Sequence, residues 1–267
     1  MGHIIEVEEK VKLFVQDVGE GLPVLFLHGW PVNHRMFEYQ FELLQNQGYR
    51  CIGIDLRGFG RSDAPLSGYH YDRMADDVRA VVDALQLTDA VLVGFSMGGA
   101  IAVRYMARHQ GYGVRKLALL GAAAPAFTQR EGYPYGMTKD EVDALVHASR
   151  VDRPNMASDF GKQFLHQGAS ESFTRWFHGL ALEATSWATV RSALALRDED
   201  LQGDLREIRV PTAIMHGQLD LICPYEFAEQ MQEHIRGSEL IPFGQSGHGL
   251  MFDERNKFNE ELLRFLK

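Results

Sequence analysis

Cysteine is scarce: the 267 residues hold two, Cys51 and Cys223. Two thiols so far apart build no disulfide framework, so both read as free, as in a reducing compartment. No apolar run approaches the length that crosses a bilayer. The start, Met1-Gly2-His3-Ile4-Ile5-Glu6, has neither the charged n-region nor the long apolar h-region of a signal peptide. The expectation is a cytoplasmic protein with no membrane partner. Basic residues are outnumbered, 27 Lys and Arg against 36 Asp and Glu, for a formal net charge of −9. Without a basic block the chain is a poor partner for nucleic acid or anionic lipid. It also lacks repeats, low-complexity stretches, metal-ligand spacing and a dinucleotide fingerprint, so neither metal nor cofactor is expected.

What is present is ordinary globular material, 45% apolar and 24% charged. Residues 3–8 and 11–17 pattern as an opening hairpin, and short apolar strands at 23–27, 50–54, 90–93 and 116–120 alternate with amphipathic helices. One helix follows Asp72, expected as its cap, with Met74, Ala75, Val78, Val81, Val82 and Leu85 on its apolar face. This alternation predicts an α/β fold with a mostly parallel central sheet and helices on both faces. The rhythm breaks after Ala124. Helical stretches near 138–149, 155–166, 170–182 and 184–196 follow without a strand. Strands return at 212–215 and 239–243, with helices at 224–235 and 252–266. The reading is a core of residues 1–124 and 206–267 with a helical cap over 125–205, and Arg197-Asp198-Glu199-Asp200 as a solvated return to the core.

Ser96 lies in Gly94-Phe95-Ser96-Met97-Gly98-Gly99, between the strand 90–93 and a helical run from Ala100. A serine on a sharp strand-to-helix turn is an exposed nucleophile, and the turn requires nearly side-chain-free residues two before and two after it. Gly94 and Gly98 meet that need. The following helix aims its positive end at the site, where negative charge would develop.

A hydroxyl needs a base, and the base an orienting acid. Functional groups in such sheets gather at the carboxyl ends of strands. The loop after 212–215 reads His216-Gly217-Gln218-Leu219-Asp220, and the loop after 239–243 reads Gly244-Gln245-Ser246-Gly247-His248-Gly249. Ser96, Asp220 and His248 then run in the order nucleophile, acid, base. No acid follows strand 116–120, and His216 at a strand end reads as packing. The oxyanion would be held by the backbone N–H groups of Met97 and Trp30, the latter in His28-Gly29-Trp30-Pro31, with His28 structural. The Trp30 ring, the cap aromatics Phe127, Phe160 and Trp187, and Leu221 and Ile222 beside the acid are candidate walls of a substrate pocket.

These motifs, with Asp55-Leu56-Arg57-Gly58-Phe59-Gly60-Arg61-Ser62-Asp63, resemble the α/β-hydrolase superfamily. The Trp-Pro pair and the Phe-Ser-Met-Gly-Gly elbow resemble small carboxylesterases and the cofactor-free haloperoxidase or perhydrolase group. The resemblance implies that segment 55–63 is structural and that Trp30 lends its amide to the oxyanion hole. The expected activity is hydrolysis of small carboxylic esters through an acyl-enzyme, without cofactor, and with perhydrolysis as a side activity. Carbon–carbon bond or lactone hydrolysis on the same residues, and a slow-turnover small-molecule sensor, are the alternatives.

Overall fold

A computed structural model describes all residues 1–267. Strands β1 (Gly2–Glu8) and β2 (Val11–Val18) form the opening hairpin. Next come β3 (Leu22–Leu27), α1 (Glu38–Gln45), β4 (Tyr49–Ile54), α2 (Tyr71–Ala84), β5 (Ala90–Phe95), α3 (Met97–Arg108) and β6 (Val114–Leu120). Helices α4 (Lys139–Gly161), α5 (Glu171–Leu182) and α6 (Ser186–Asp198) fill the strandless stretch. The chain closes with β7 (Thr212–Gly217), α7 (Glu226–His234), β8 (Glu239–Phe243), the single turn α8 (Leu250–Asp253) and α9 (Arg255–Leu266).

The eight strands form one sheet in the order β1-β2-β4-β3-β5-β6-β7-β8. Only the pairings made by β2 are antiparallel; β4 through β8 run parallel. All six residues of β5 are buried, as a strand covered on both faces requires. Helix α2 packs on α3, and α1 on α9. These pairs bury continuous apolar stripes against the sheet. The parallel run puts the ends of β3, β5, β7 and β8 along one edge, and the candidate triad and oxyanion-hole residues each follow one of those ends.

Three local expectations change. The cap of α2 is His70, whose side chain accepts the Arg73 N–H, while Asp72 lies in the first turn and pairs with Arg104 at 2.8 Å. The helical stretches 138–149 and 155–166 are two helices that abut at non-helical Asp152 (φ −150°, ψ 80°) ahead of Pro154, the first capped by a Thr138–Glu141 box; what changes is where the second ends. It ends at Gly161, so residues 162–166 leave the helix and turn down toward the sheet edge. The return at Arg197–Asp200 is bound rather than merely solvated. The Glu199 carboxylate accepts the Tyr71 N–H at 3.1 Å and lies 3.5 Å from Arg104, which fastens the end of α6 to α2 and α3.

Candidate active site

Ser96 joins β5 to α3 with φ +52° and ψ −119°, a conformation that L-residues rarely hold. Such a backbone costs on the order of 1–3 kcal/mol and persists only where the surroundings enforce it. Here the enforcement is close packing. A Cβ on Gly94 would sit 2.5 Å from the Gly98 carbonyl oxygen, and one on Gly98 would sit 2.3 Å from that of Leu27. The Ser96 carbonyl accepts N–H groups from Gly99, Ala100 and Ala123, which locks the turn between the helix and the end of β6.

Asp220 follows β7 and His248 follows β8, two neighbouring parallel strands. Their side chains meet: His248 Nδ1 donates to Asp220 Oδ2 at 2.7 Å, both groups being buried. A carboxylate only accepts, so the proton of the neutral imidazole is on Nδ1 and Nε2 is left as an acceptor. Asp220 Oδ1 takes the N–H groups of Ile222 at 2.8 Å and Cys223 at 2.9 Å. Burial pushes the Asp220 carboxyl up, but the His248 charge and hydrogen bonds from His216 and His248 overcome this and hold it well below the usual carboxylate range. The His248 ring lies 4.7 Å from the Phe95 ring, immediately before Ser96, and 5.8 Å from that of Phe164. No hydrogen bond joins Ser96 Oγ to His248 Nε2 in this structure; such contacts commonly tighten only with substrate bound.

His216 does more than pack. Its Nε2 donates to the Cys223 carbonyl at 2.8 Å and lies 3.4 Å from Asp220 Oδ2, both side chains being fully buried. It therefore braces the acid at Oδ2, the same oxygen that His248 engages. Its spacing, four residues before Asp220 across a Gly, was the available signal, but a histidine ending a buried strand reads equally well as core.

The backbone N–H groups of Trp30 and Met97 donate to no acceptor in the protein. Met97 opens α3, where the helix dipole adds positive potential. Trp30 is fixed by its indole, which donates to the Thr189 carbonyl on α6 at 3.0 Å. Beneath it, buried His28 accepts the Leu56 N–H at 3.0 Å, and burial pushes its pKa down to about 4, so the ring is neutral. Asp55 accepts His34 Nδ1 at 2.6 Å and the Arg61 N–H at 2.9 Å, which makes segment 55–63 a brace for this loop.

Two apolar cavities adjoin at Trp30 and Phe160, and only the inner one reaches Ser96. An inner one of about 10 Å³ is lined by Ser96, Phe127, Val142, Leu145 and Ile222 among others, and an outer one of about 190 Å³ by Phe95, Phe164, Leu165, Phe173 and Phe177 among others. Trp30 and Phe160 line both. Phe127, Phe160 and Ile222 are thus at the site. Leu221 is not: the turn closed on Asp220 Oδ1 sends Ile222 inward and Leu221 outward, where it is 74% exposed. Trp187 is not either. It sits on the outer face of α6, 39% exposed, with its indole on the Ala64 carbonyl at 3.1 Å, while Ala193 and Leu196 face the inner cavity.

The model of the alpha/beta hydrolase fold matches residues 23–255. The chain belongs to the alpha/beta hydrolase family. This hydrolase is 55% identical to the AB hydrolase superfamily protein YisY of Bacillus subtilis over 99% of both chains. It is 31% identical, over all of both chains, to a bifunctional esterase/perhydrolase of Acinetobacter calcoaceticus. Among solved structures, the hydrolase superposes on an esterase from Exiguobacterium antarcticum with a TM-score of 0.98, 53% identity and 99% of each chain covered.

Proposed function

We propose that this hydrolase is a serine esterase that cleaves small uncharged carboxylic esters through an acyl-enzyme on Ser96. His248 Nε2 takes the Ser96 proton as Oγ attacks the ester carbonyl carbon. The carbonyl electron pair moves onto oxygen, where the N–H groups of Trp30 and Met97 receive it. As the oxyanion collapses, the carbon–oxygen bond to the alcohol breaks and the leaving oxygen takes the proton from His248. Water then attacks the acyl-enzyme, gives its proton to His248, and Ser96 departs with it. Asp220 stays ionised, holds the imidazole tautomer and stabilises its cationic form. Helices α4–α6 act as a cap that supplies apolar walls to the ester.

The observation that carries this reading is the 2.7 Å bond from His248 Nδ1 to Asp220 Oδ2, because it leaves Nε2 as the basic nitrogen in the loop beside the elbow. The likeness to an esterase structure at 53% identity supports it. Perhydrolysis, with hydrogen peroxide replacing water in deacylation, is a second reading favoured by the esterase/perhydrolase relative. The test is Ser96→Ala. Hydrolysis of an activated acetate ester should fall by about 10⁴ or more with the fold intact. Retention of near-native turnover would reject Ser96 as the nucleophile.

A further inference from the structure

Asp220 faces four donors. Its Oδ1 takes the N–H groups of Ile222 and Cys223, and its Oδ2 takes His248 Nδ1 at 2.7 Å. The fourth is His216, whose Nε2 stands 3.4 Å from the same Oδ2 and 2.8 Å from the Cys223 carbonyl. A carbonyl only accepts, so the one proton of the neutral ring is on Nε2 and is shared between the two oxygens. Nδ1 is then a bare acceptor, buried and without a hydrogen-bond partner. Burying a polar atom unpaired costs stability. A leucine or phenylalanine would fill the same space without that cost. Packing alone therefore does not account for an imidazole here, whereas the Nε2–H does.

His216 also differs from the triad in its support. Ser96 sits on the elbow, and Asp220 and His248 on loops, whereas His216 lies inside β7, in parallel register with Pro242 of β8. Gly217 after it packs so closely on the loop holding His248 that a Cβ would lie 2.1 Å from the Gly247 carbonyl oxygen. A side chain fixed on a strand is a more exact support than one on a loop. From there one N–H reaches the acid directly. Through the Cys223 carbonyl it also holds the segment whose thiol is within hydrogen-bonding reach of the Ser96 hydroxyl. The titratable groups that face His216 are Asp220, Cys223 and Tyr225, whose ring stands edge-on at 6.0 Å. His248 reaches the shared oxygen from the loop after β8.

We infer that His216 is a positioning residue for the ester reaction: its shared N–H fixes the acid relative to the nucleophile and restrains the pull of Asp220 on His248. The inference rests on the serine-esterase reading above. Without the Nε2–H, Asp220 Oδ2 would keep His248 as its one remaining donor, and its charge would favour the imidazolium more strongly. The tie between the acid and the Cys223 segment would go with it.

The experiment measures kcat and KM for phenyl acetate across about pH 5 to 9 on wild type, His216→Gln, His216→Leu and Ser96→Ala. His216→Leu keeps the apolar bulk and loses the donor. Its kcat should fall about tenfold or more with KM changed less than about twofold, and the acid limb of its kcat/KM profile should move up by about half a pH unit. His216→Gln returns an amide N–H near the Nε2 position and should recover most of the lost kcat and the wild-type limb. A folded His216→Leu with wild-type kcat and acid limb would overturn the inference. So would a folded His216→Gln that loses as much as His216→Leu. Nitrogen NMR of wild-type protein carrying labelled histidine needs no variant: His216 should show a protonated Nε2 and a bare Nδ1, and the reverse tautomer would overturn the inference. Failure of the underlying reading looks different: Ser96→Ala would then turn over the ester as fast as wild type.

Discussion

The Gly249 N–H donates to the Phe164 carbonyl at 2.7 Å, which ties the residue after His248 to the segment that follows α4. Asp253 reinforces the tie: its carboxylate accepts the N–H groups of His166, Gln167 and Gly247, each at 2.9 Å. The base and the aromatic wall beside it are thus held as one unit, although they lie more than 80 residues apart in sequence.

Asp253→Ala would leave three backbone donors of that unit without their acceptor. Only the Gly247 bond is partly buried, and the two exposed donors can turn to water. The expected outcome is a loss of roughly 1 kcal/mol in urea unfolding. A drop in esterase kcat of about tenfold or more should accompany it as His248 loses its placement. Wild-type stability and kcat in this variant would show that the carboxylate does not hold the loop.

The strained backbone at Ser96, φ +52°, sets stability against activity. Ser96→Gly should abolish ester hydrolysis and raise unfolding stability by about 1 kcal/mol, since glycine adopts this conformation without penalty. Ser96→Ala keeps the Cβ and should be inactive without that gain. Denaturant unfolding of the two inactive variants side by side checks the difference.

His28 gives a pH dependence to stability. Burial lowers its pKa from 6.5 to about 4, so the native state prefers the neutral ring while the unfolded chain binds a proton. Its contribution is fully present above pH 6.5 and is lost as pH falls toward 4, about 3 kcal/mol in all. Asp220, whose pKa is lowered, loses its contribution only at more acid pH, below 3.8. Urea unfolding should therefore show a decline between pH 6.5 and 4, and His28→Gln should flatten it.

Both thiols should resist alkylation in the native state. Burial pushes Cys51 up to about 12, and burial with the nearby Asp220 charge raises Cys223 well above its ordinary value. Iodoacetamide at pH 8 should add no mass to the folded protein and should modify both cysteines in urea.

The sheet and the residues at its edge were legible because each obeys a local rule. A buried parallel strand is an apolar run, an elbow needs its glycines, and chemistry follows strand ends. Ser96, Asp220 and His248 were named on those grounds alone. The helical stretch resisted because its aromatics satisfy packing and pocket equally well. Phe160 and Phe164 lie near each other in sequence, yet the helix ends between them, at Gly161, and that turn brings Phe164 onto His248. Trp187 and Leu221 were placed at the site by proximity in sequence to helix or acid. One residue's rotation on α6, and one turn closed by Asp220, face them outward. Asp253 acts through contacts between distant segments that no spacing in the chain encodes, and His216, although only four residues before Asp220, reads equally well as core.

The most direct measurement is peptide mapping by mass spectrometry after treatment with a fluorophosphonate. An activated serine predicts a single adduct on the peptide holding Ser96, absent in Ser96→Ala and formed at least 100-fold more slowly in His248→Gln. An adduct on another residue, or labelling of Ser96 at an unchanged rate without His248, would contradict the account.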